Sequence, residues 1–217
     1  MQNTRPLYGY SVGHKLIVGF TGLFLCAFLV VHLGLNLMLF KGDGGLAFDT
    51  SAESMDSSWL IHGLEVVLAA GFLFHIIYAL RVWIRDQTTR PEGYEQNRPS
   101  QNSALSSRTM FWSASMVFIF LVVHIKDFWV PTRFPGPGKI SYFEIVTTAF
   151  RSPVYDAFYL VALALLGYHL RHGFQSAFQT FGLRPRWRST IDALAVVFWL
   201  LIPLGFASLP LYFLFTR

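Results

Sequence analysis

The sequence predicts an all-α integral membrane bundle: a single transmembrane domain over residues 1–217, built of five helices, with its N-terminus in the cytoplasm. Three observations carry this expectation. The chain is 53% hydrophobic and only 13% charged, a balance found in membrane proteins. Its apolar residues fall in long blocks, and Leu16–Phe40, Thr109–Ile125 and Ala193–Thr216 run 25, 17 and 24 residues without a charge, each near the ~20 residues that cross a bilayer as a helix. Lys and Arg, finally, gather on alternate connections between the blocks.

The first helix is expected over about 14–40. It is not a signal peptide, because its apolar run far exceeds the ~7–15 residues of a signal core and no small-x-small cleavage site follows. The second is expected over 58–85, where Trp59–Leu80 is interrupted only by Glu65, and the third over 107–130. The fourth, over 153–180, has Asp156 as the one charge in Pro153–Leu170, and the fifth covers 190–215.

Orientation follows from the basic residues. Arg5, His14 and Lys15 precede or open the first helix; Arg81, Arg85, Arg90, Arg98 and Arg108 surround the second connection; Arg171, Arg184, Arg186 and Arg188 surround the fourth. The first connection, "KGDGGLAFDTSAESMD", has one Lys against four acids. A net charge of +5 is therefore accounted for by a basic inner face and needs no nucleic-acid partner; the same face suits a soluble subunit. The single cysteine, Cys26, excludes an intrachain disulfide, a Cys-ligated iron–sulfur cluster and a C-x-x-C-H haem attachment site. A metal in this chain must rest on histidines or carboxylates.

The histidines repeat. "FLVVH" occurs at Phe28–His32 and again at Phe120–His124, while His75 follows Phe74 and His169 follows Tyr168. His32 and His124 are 92 residues apart, His75 and His169 are 94 apart. His32 and His124 come late in outward-going helices, His75 and His169 late in inward-going ones, so the four form two level pairs, separated by roughly 13 Å along the membrane normal at 1.5 Å per residue. One intramembrane histidine is more often a helix-packing residue than a ligand. Four at two matched depths point to function, because ionisable groups at membrane depth are costly. Two facing histidines suit bis-imidazole haem ligation, whereas zinc requires three or four converging ligands. Eleven residues before the outer histidines, on the same helix faces, stand Thr21 and Ser113, small polar groups expected beside the inner haem.

In "GYHLRHGF", residues 167–174, His169 and His172 both lie in the inner half. His169 is the expected partner of His75, since it shares the preceding aromatic residue and the 94-residue spacing. His172, Arg171, Arg81, Arg85, His14 and Lys15 form a candidate cationic collar for haem propionates, and Lys126, beside Asp127, is the corresponding outer candidate.

With these residues in place the chain resembles the five-helix di-haem cytochrome b membrane anchors of succinate dehydrogenases and fumarate reductases. The likeness covers nearly the whole chain: "GHK" ahead of the first span, one ligand-like histidine on each of the first four helices, none on the fifth, and "HLRHGFQSAFQTFG" on the fourth. It implies two haem b groups, with His32 and His124 holding the outer and His75 and His169 the inner. It further implies a flavoprotein subunit and an iron–sulfur subunit as partners, membrane lipid around the chain, a bacterial inner-membrane location, and electron exchange with a quinone, menaquinone being the expected one. Dicarboxylate chemistry would belong to the partners. Menaquinone-linked members place a carboxylate near an outer quinone site, and Glu65, with His62 one turn before it, is the candidate for quinone-linked proton transfer. A cytochrome b of the bc-complex type would need a histidine near 155 or 156, where Tyr155 and Asp156 stand. Three alternatives remain open: a b561-type ascorbate reductase, a hydrogenase or formate dehydrogenase b subunit, and a haem-free transporter with intramembrane histidines.

Overall fold

The structure, a computed structural model, describes residues 11–88, 109–136 and 141–216. Arg5, Arg90, Arg98 and Arg108 lie outside the described residues. Among the described residues there are helices and turns but no strand. Helix α1 (Ser11–Asn36) runs into a 3-10 turn, Leu37–Lys41; α2 (Leu46–Asp56) follows, then α3 (Trp59–Thr88) and α4 (Met110–His124). A π turn, Ile125–Trp129, joins α4 to α5 (Val130–Arg133). Helix α6 (Tyr142–Ala149) precedes α7 (Pro153–Thr180), and α8 (Arg184–Val196) continues through a second π turn, Val197–Leu201, into α9 (Ile202–Phe215).

Five stretches are long and apolar enough to cross a membrane: Val12–Lys41, Trp59–Gln87, Met110–Arg133, Pro153–Thr180 and Arg184–Phe215. The last starts earlier than the sequence expectation of 190. Pro185 sits in the first helical turn, where a missing N–H costs nothing, and the irregular backbone at Trp187 (φ −117°, ψ 26°) is absorbed as a kink.

Helix α7 is the hub. In its most apolar stretch 33% of residues are buried by the chain itself, against 6% in the second and third spans, so those two present most of their surface to lipid or to whatever lies between the helices. α7 packs against α1, α4, α8 and α9, and α1 also packs against α3 and α9. The ring closes where Trp83 of α3 stacks on Phe111 of α4 at 4.2 Å and 17°. The first four spans therefore form a four-cornered ring in which α1 faces α4, and α3 faces α7, across the diagonals. Small residues allow the close approaches: a Cβ on Gly71 would stand 2.9 Å from Phe24, one on Gly205 2.8 Å from Leu33, and one on Gly167 2.7 Å from the Trp199 carbonyl oxygen.

Local sequence defines the ends of α7. Ser152 accepts a hydrogen bond from the Tyr155 amide at 3.4 Å, Pro153 is the first helical residue, and Asp156 sits in the first turn, all favourable at a helix N-terminus. At the other end Gly182 (φ +72°) takes the left-handed position, and the Leu183 and Gly182 amides donate to the carbonyls of Phe178 and Gln179, the Schellman arrangement.

The end of the bundle opposite His14 and Arg81 is capped by short amphipathic helices. Ser141 and Glu144 open α6 in a capping-box sequence, with the Glu144 amide donating to the Ser141 hydroxyl at 3.0 Å. Asp49 of α2 accepts from the Phe143 amide at 2.7 Å, and Gly45 (φ +90°) lies so close to the Phe143 ring that a Cβ would overlap it. Leu39, Phe48, Val146, Phe150, Tyr159 and Leu209 form the apolar cluster that seals this cap onto the spans.

Candidate intramembrane histidine sites

His32 on α1 and His124 on α4 meet at the capped end, with ring centroids 5.8 Å apart and planes at 88°. The helices that bring them share no extended backbone contact; the rings reach each other across the diagonal. Aromatic side chains pack around them: Phe28 stacks on His32 at 5.2 Å, Phe206 lies 5.5 Å from it, and Phe120 and Phe128 lie 5.6 and 5.1 Å from His124. The Phe residues at positions 28 and 120 are one helical turn before each histidine, so the "FLVVH" repeat encodes a ring shelf as well as a ring. Asn36 Nδ2 donates to the His32 carbonyl at 2.8 Å and lies 3.5 Å from its Nδ1. Tyr159 Oη is 3.0 Å from His124 Nδ1.

His75 on α3 and His169 on α7 form the second pair, at 6.2 Å and 73°, across the other diagonal. Thr21 of α1 sits 3.2 Å from His75 Nδ1, and its own hydroxyl donates to the Ile17 carbonyl at 2.7 Å. A hydroxyl has one proton to give, so the Thr21 oxygen acts as acceptor and His75 Nδ1 donates. Gly22 is beside it: a Cβ there would stand 3.1 Å from His75 Cε1. Since Thr21 touches this pair and His32 belongs to the other, eleven residues along one continuous helix, the two levels differ by about 16 Å.

The pairs fit a metal held by two imidazoles. Rings bonding one ion from opposite sides at about 2 Å have centroids about 6 Å apart, close to both separations. Among the described residues neither pair is joined by a direct hydrogen bond, and no three His, Cys, Asp or Glu converge. All four histidines keep surface that the chain does not cover, and the buried Nδ1 of His169 has no hydrogen-bond partner among the described residues. A flat group lying between the rings and against Gly22 would use that surface.

The remaining sequence candidates divide. His14 and Arg81 come together on Tyr78, the imidazole 5.3 Å from its ring and the guanidinium 5.3 Å above it, and the buried His14 Nδ1 lacks a partner among the described residues. Arg85 lies one turn beyond Arg81, His172 is half-buried one turn from His169, and Lys15 is exposed. Arg171 does not join them: its guanidinium lies 5.2 Å over the Trp199 ring on the fifth span. Two residues from His169 is about 200° around a helix, a rotation that could have been read from the sequence. Lys126 stands in the same relation to His124; it is 77% exposed and pairs with Asp127 at 3.0 Å, not with the histidines. Ser113 is buried but spends its hydroxyl on the Met110 carbonyl. Glu65 belongs to an ion cluster at the capped end, where Arg133 bridges it to Asp56 and His62 Nδ1 lies 3.6 Å away.

Sequence reasoning missed Tyr159 altogether and touched Tyr155 only as a position, with Asp156, where a further histidine was missing. Their one-turn spacing on α7 is ordinary in an apolar helix and is no signal by itself.

Fold and site together define a five-span helical membrane protein with two histidine pairs on the diagonals of its first four spans. No protein-family model, curated protein or solved structure matches the chain.

Proposed function

We propose that this chain is the di-haem b membrane anchor of a succinate:quinone oxidoreductase complex. The observation that carries the reading is the pairing of four intramembrane histidines at 5.8 and 6.2 Å on opposite diagonals of one bundle. His32 with His124 would hold one haem and His75 with His169 the other; bound there, the haems supply one-electron transfer. The chain's own part is to orient the rings and keep them neutral. Thr21 accepts from His75 Nδ1, and the Phe28, Phe120, Phe128 and Phe206 rings exclude water from the other pair.

In this reading the end carrying His14, Lys15 and Arg81 faces the cytoplasm of a bacterial inner membrane and docks the iron–sulfur and flavoprotein subunits. His14, Arg81, Arg85 and His172 are the groups this reading assigns to haem propionates. The capped end serves menaquinone, with the Glu65 carboxylate, beside Arg133 and His62, as the proton-exchanging group.

The test is a reduced-minus-oxidised absorbance spectrum and a pyridine haemochrome assay on the purified chain, with identification of the subunits that copurify. Two haem b per chain and a flavoprotein–iron–sulfur pair are expected. A haem-free chain would sink the reading, and a different soluble partner would move it to another quinone-linked cytochrome b.

A further inference from the structure

Between His124 and the capped surface runs a line of polar groups in an otherwise apolar wall. Asp127 Oδ2 is 2.9 Å from Tyr155 Oη, Tyr155 Oη is 3.3 Å from Tyr159 Oη, and Tyr159 Oη is 3.0 Å from His124 Nδ1. Tyr159 is 5% exposed, too buried to leave its hydroxyl to solvent. The π turn that follows His124 brings Asp127 to Tyr155, and such turns recur at functional positions. Lys126 holds the other Asp127 oxygen at 3.0 Å.

One arrangement of protons makes hydrogen bonds of all three contacts. A carboxylate accepts and does not donate, and each tyrosine has a single proton. Tyr155 must therefore donate to Asp127, Tyr159 to Tyr155, and His124 Nδ1 to Tyr159. The reverse order would turn a hydroxyl lone pair towards an anionic oxygen at 2.9 Å.

We propose that Asp127, acting through Tyr155 and Tyr159, sets the tautomer of His124: the proton is held on Nδ1, and Nε2 is left as the free lone pair directed at a ligand. Asp127, Tyr155 and Tyr159 are positioning residues. An acceptor on the far ring nitrogen orients a ligating histidine and raises its basicity. A redox consequence rests on the haem reading above: the anion at the end of the line stabilises the oxidised, more positive state of the iron held by His32 and His124, lowering the potential of that haem alone.

Two measurements test this. Ring nitrogen NMR of the purified chain in its haem-free form, labelled at histidine, reports the His124 tautomer with neither ring nitrogen held by iron. The wild type should show Nδ1 protonated, and Tyr155→Phe should weaken that preference by about tenfold, the scale of a hydrogen bond aided by charge. A wild-type His124 protonated on Nε2 would overturn the proposal. In the intact complex, optical redox titration should show the His32–His124 haem rising in Tyr155→Phe and Asp127→Asn by about tenfold in its oxidation equilibrium, ~59 mV for one electron. It should fall in Lys126→Ala, with the other haem unmoved in all three. Unshifted potentials in Tyr155→Phe and Asp127→Asn, with both haems bound, overturn the proposal and leave the functional reading standing; a wild-type complex without haem removes the functional reading while the NMR result still decides the tautomer.

Discussion

His32 and His124 are carried by helices that share no extended backbone contact, yet their rings stand 5.8 Å apart and edge to face. His75 and His169 stand likewise across the other diagonal at 6.2 Å, and the proposed function gives each pair one haem. Replacing either member of a pair by Ala should remove the same haem, halving the pyridine haemochrome value from two to one per chain. His172→Ala should keep both haems and shift the potential of the one held by His75 and His169. If His172→Ala loses that haem while His169→Ala retains it, the ligand was misassigned.

Gly22 is the next place to probe. With a Cβ there only 3.1 Å from His75 Cε1, Gly22→Val should displace the ring and cost the His75–His169 haem while sparing the other. Gly34 has open space around its would-be Cβ, and Gly34→Ala should retain both haems. Equal haem content in the two variants would contradict the expected crowding.

At the capped end, Glu65→Gln should abolish quinone turnover while both haems remain and the soluble subunits still reduce an artificial acceptor. Wild-type turnover would free Glu65 from that role. Arg133 bridges Glu65 and Asp56, so Arg133→Ala leaves two carboxylates facing each other without their cation. The melting temperature in detergent should fall further for Arg133→Ala than for Glu65→Gln, since the latter removes one charge of the cluster and relieves the repulsion the former creates.

Gly45 combines φ +90° with contact against the Phe143 ring. Gly45→Ala should destabilise the cap by about 1–3 kcal/mol, the range for a side chain forced into a left-handed backbone conformation. A thermal scan following haem release reads this out, and an unchanged midpoint would show that the α2–α6 contact does not limit stability.

The sequence alone determined the number of spans, because an uncharged run long enough to cross a bilayer is a property of consecutive residues. It also singled out His32, His75, His124 and His169, because helix direction and a 1.5 Å rise convert position in a span into depth. Depth, however, leaves rotation and neighbours open. Only the tertiary structure decided that α1 faces α4 and α3 faces α7, that the ring Arg171 meets is that of Trp199, and that Glu65 is tied to Arg133. The Asp127–Tyr155–Tyr159–His124 line was invisible for the same physical reason. Two tyrosines one turn apart are ordinary in an apolar helix, and they become a directed path only when packing sets His124 at one end and a π turn sets Asp127 at the other.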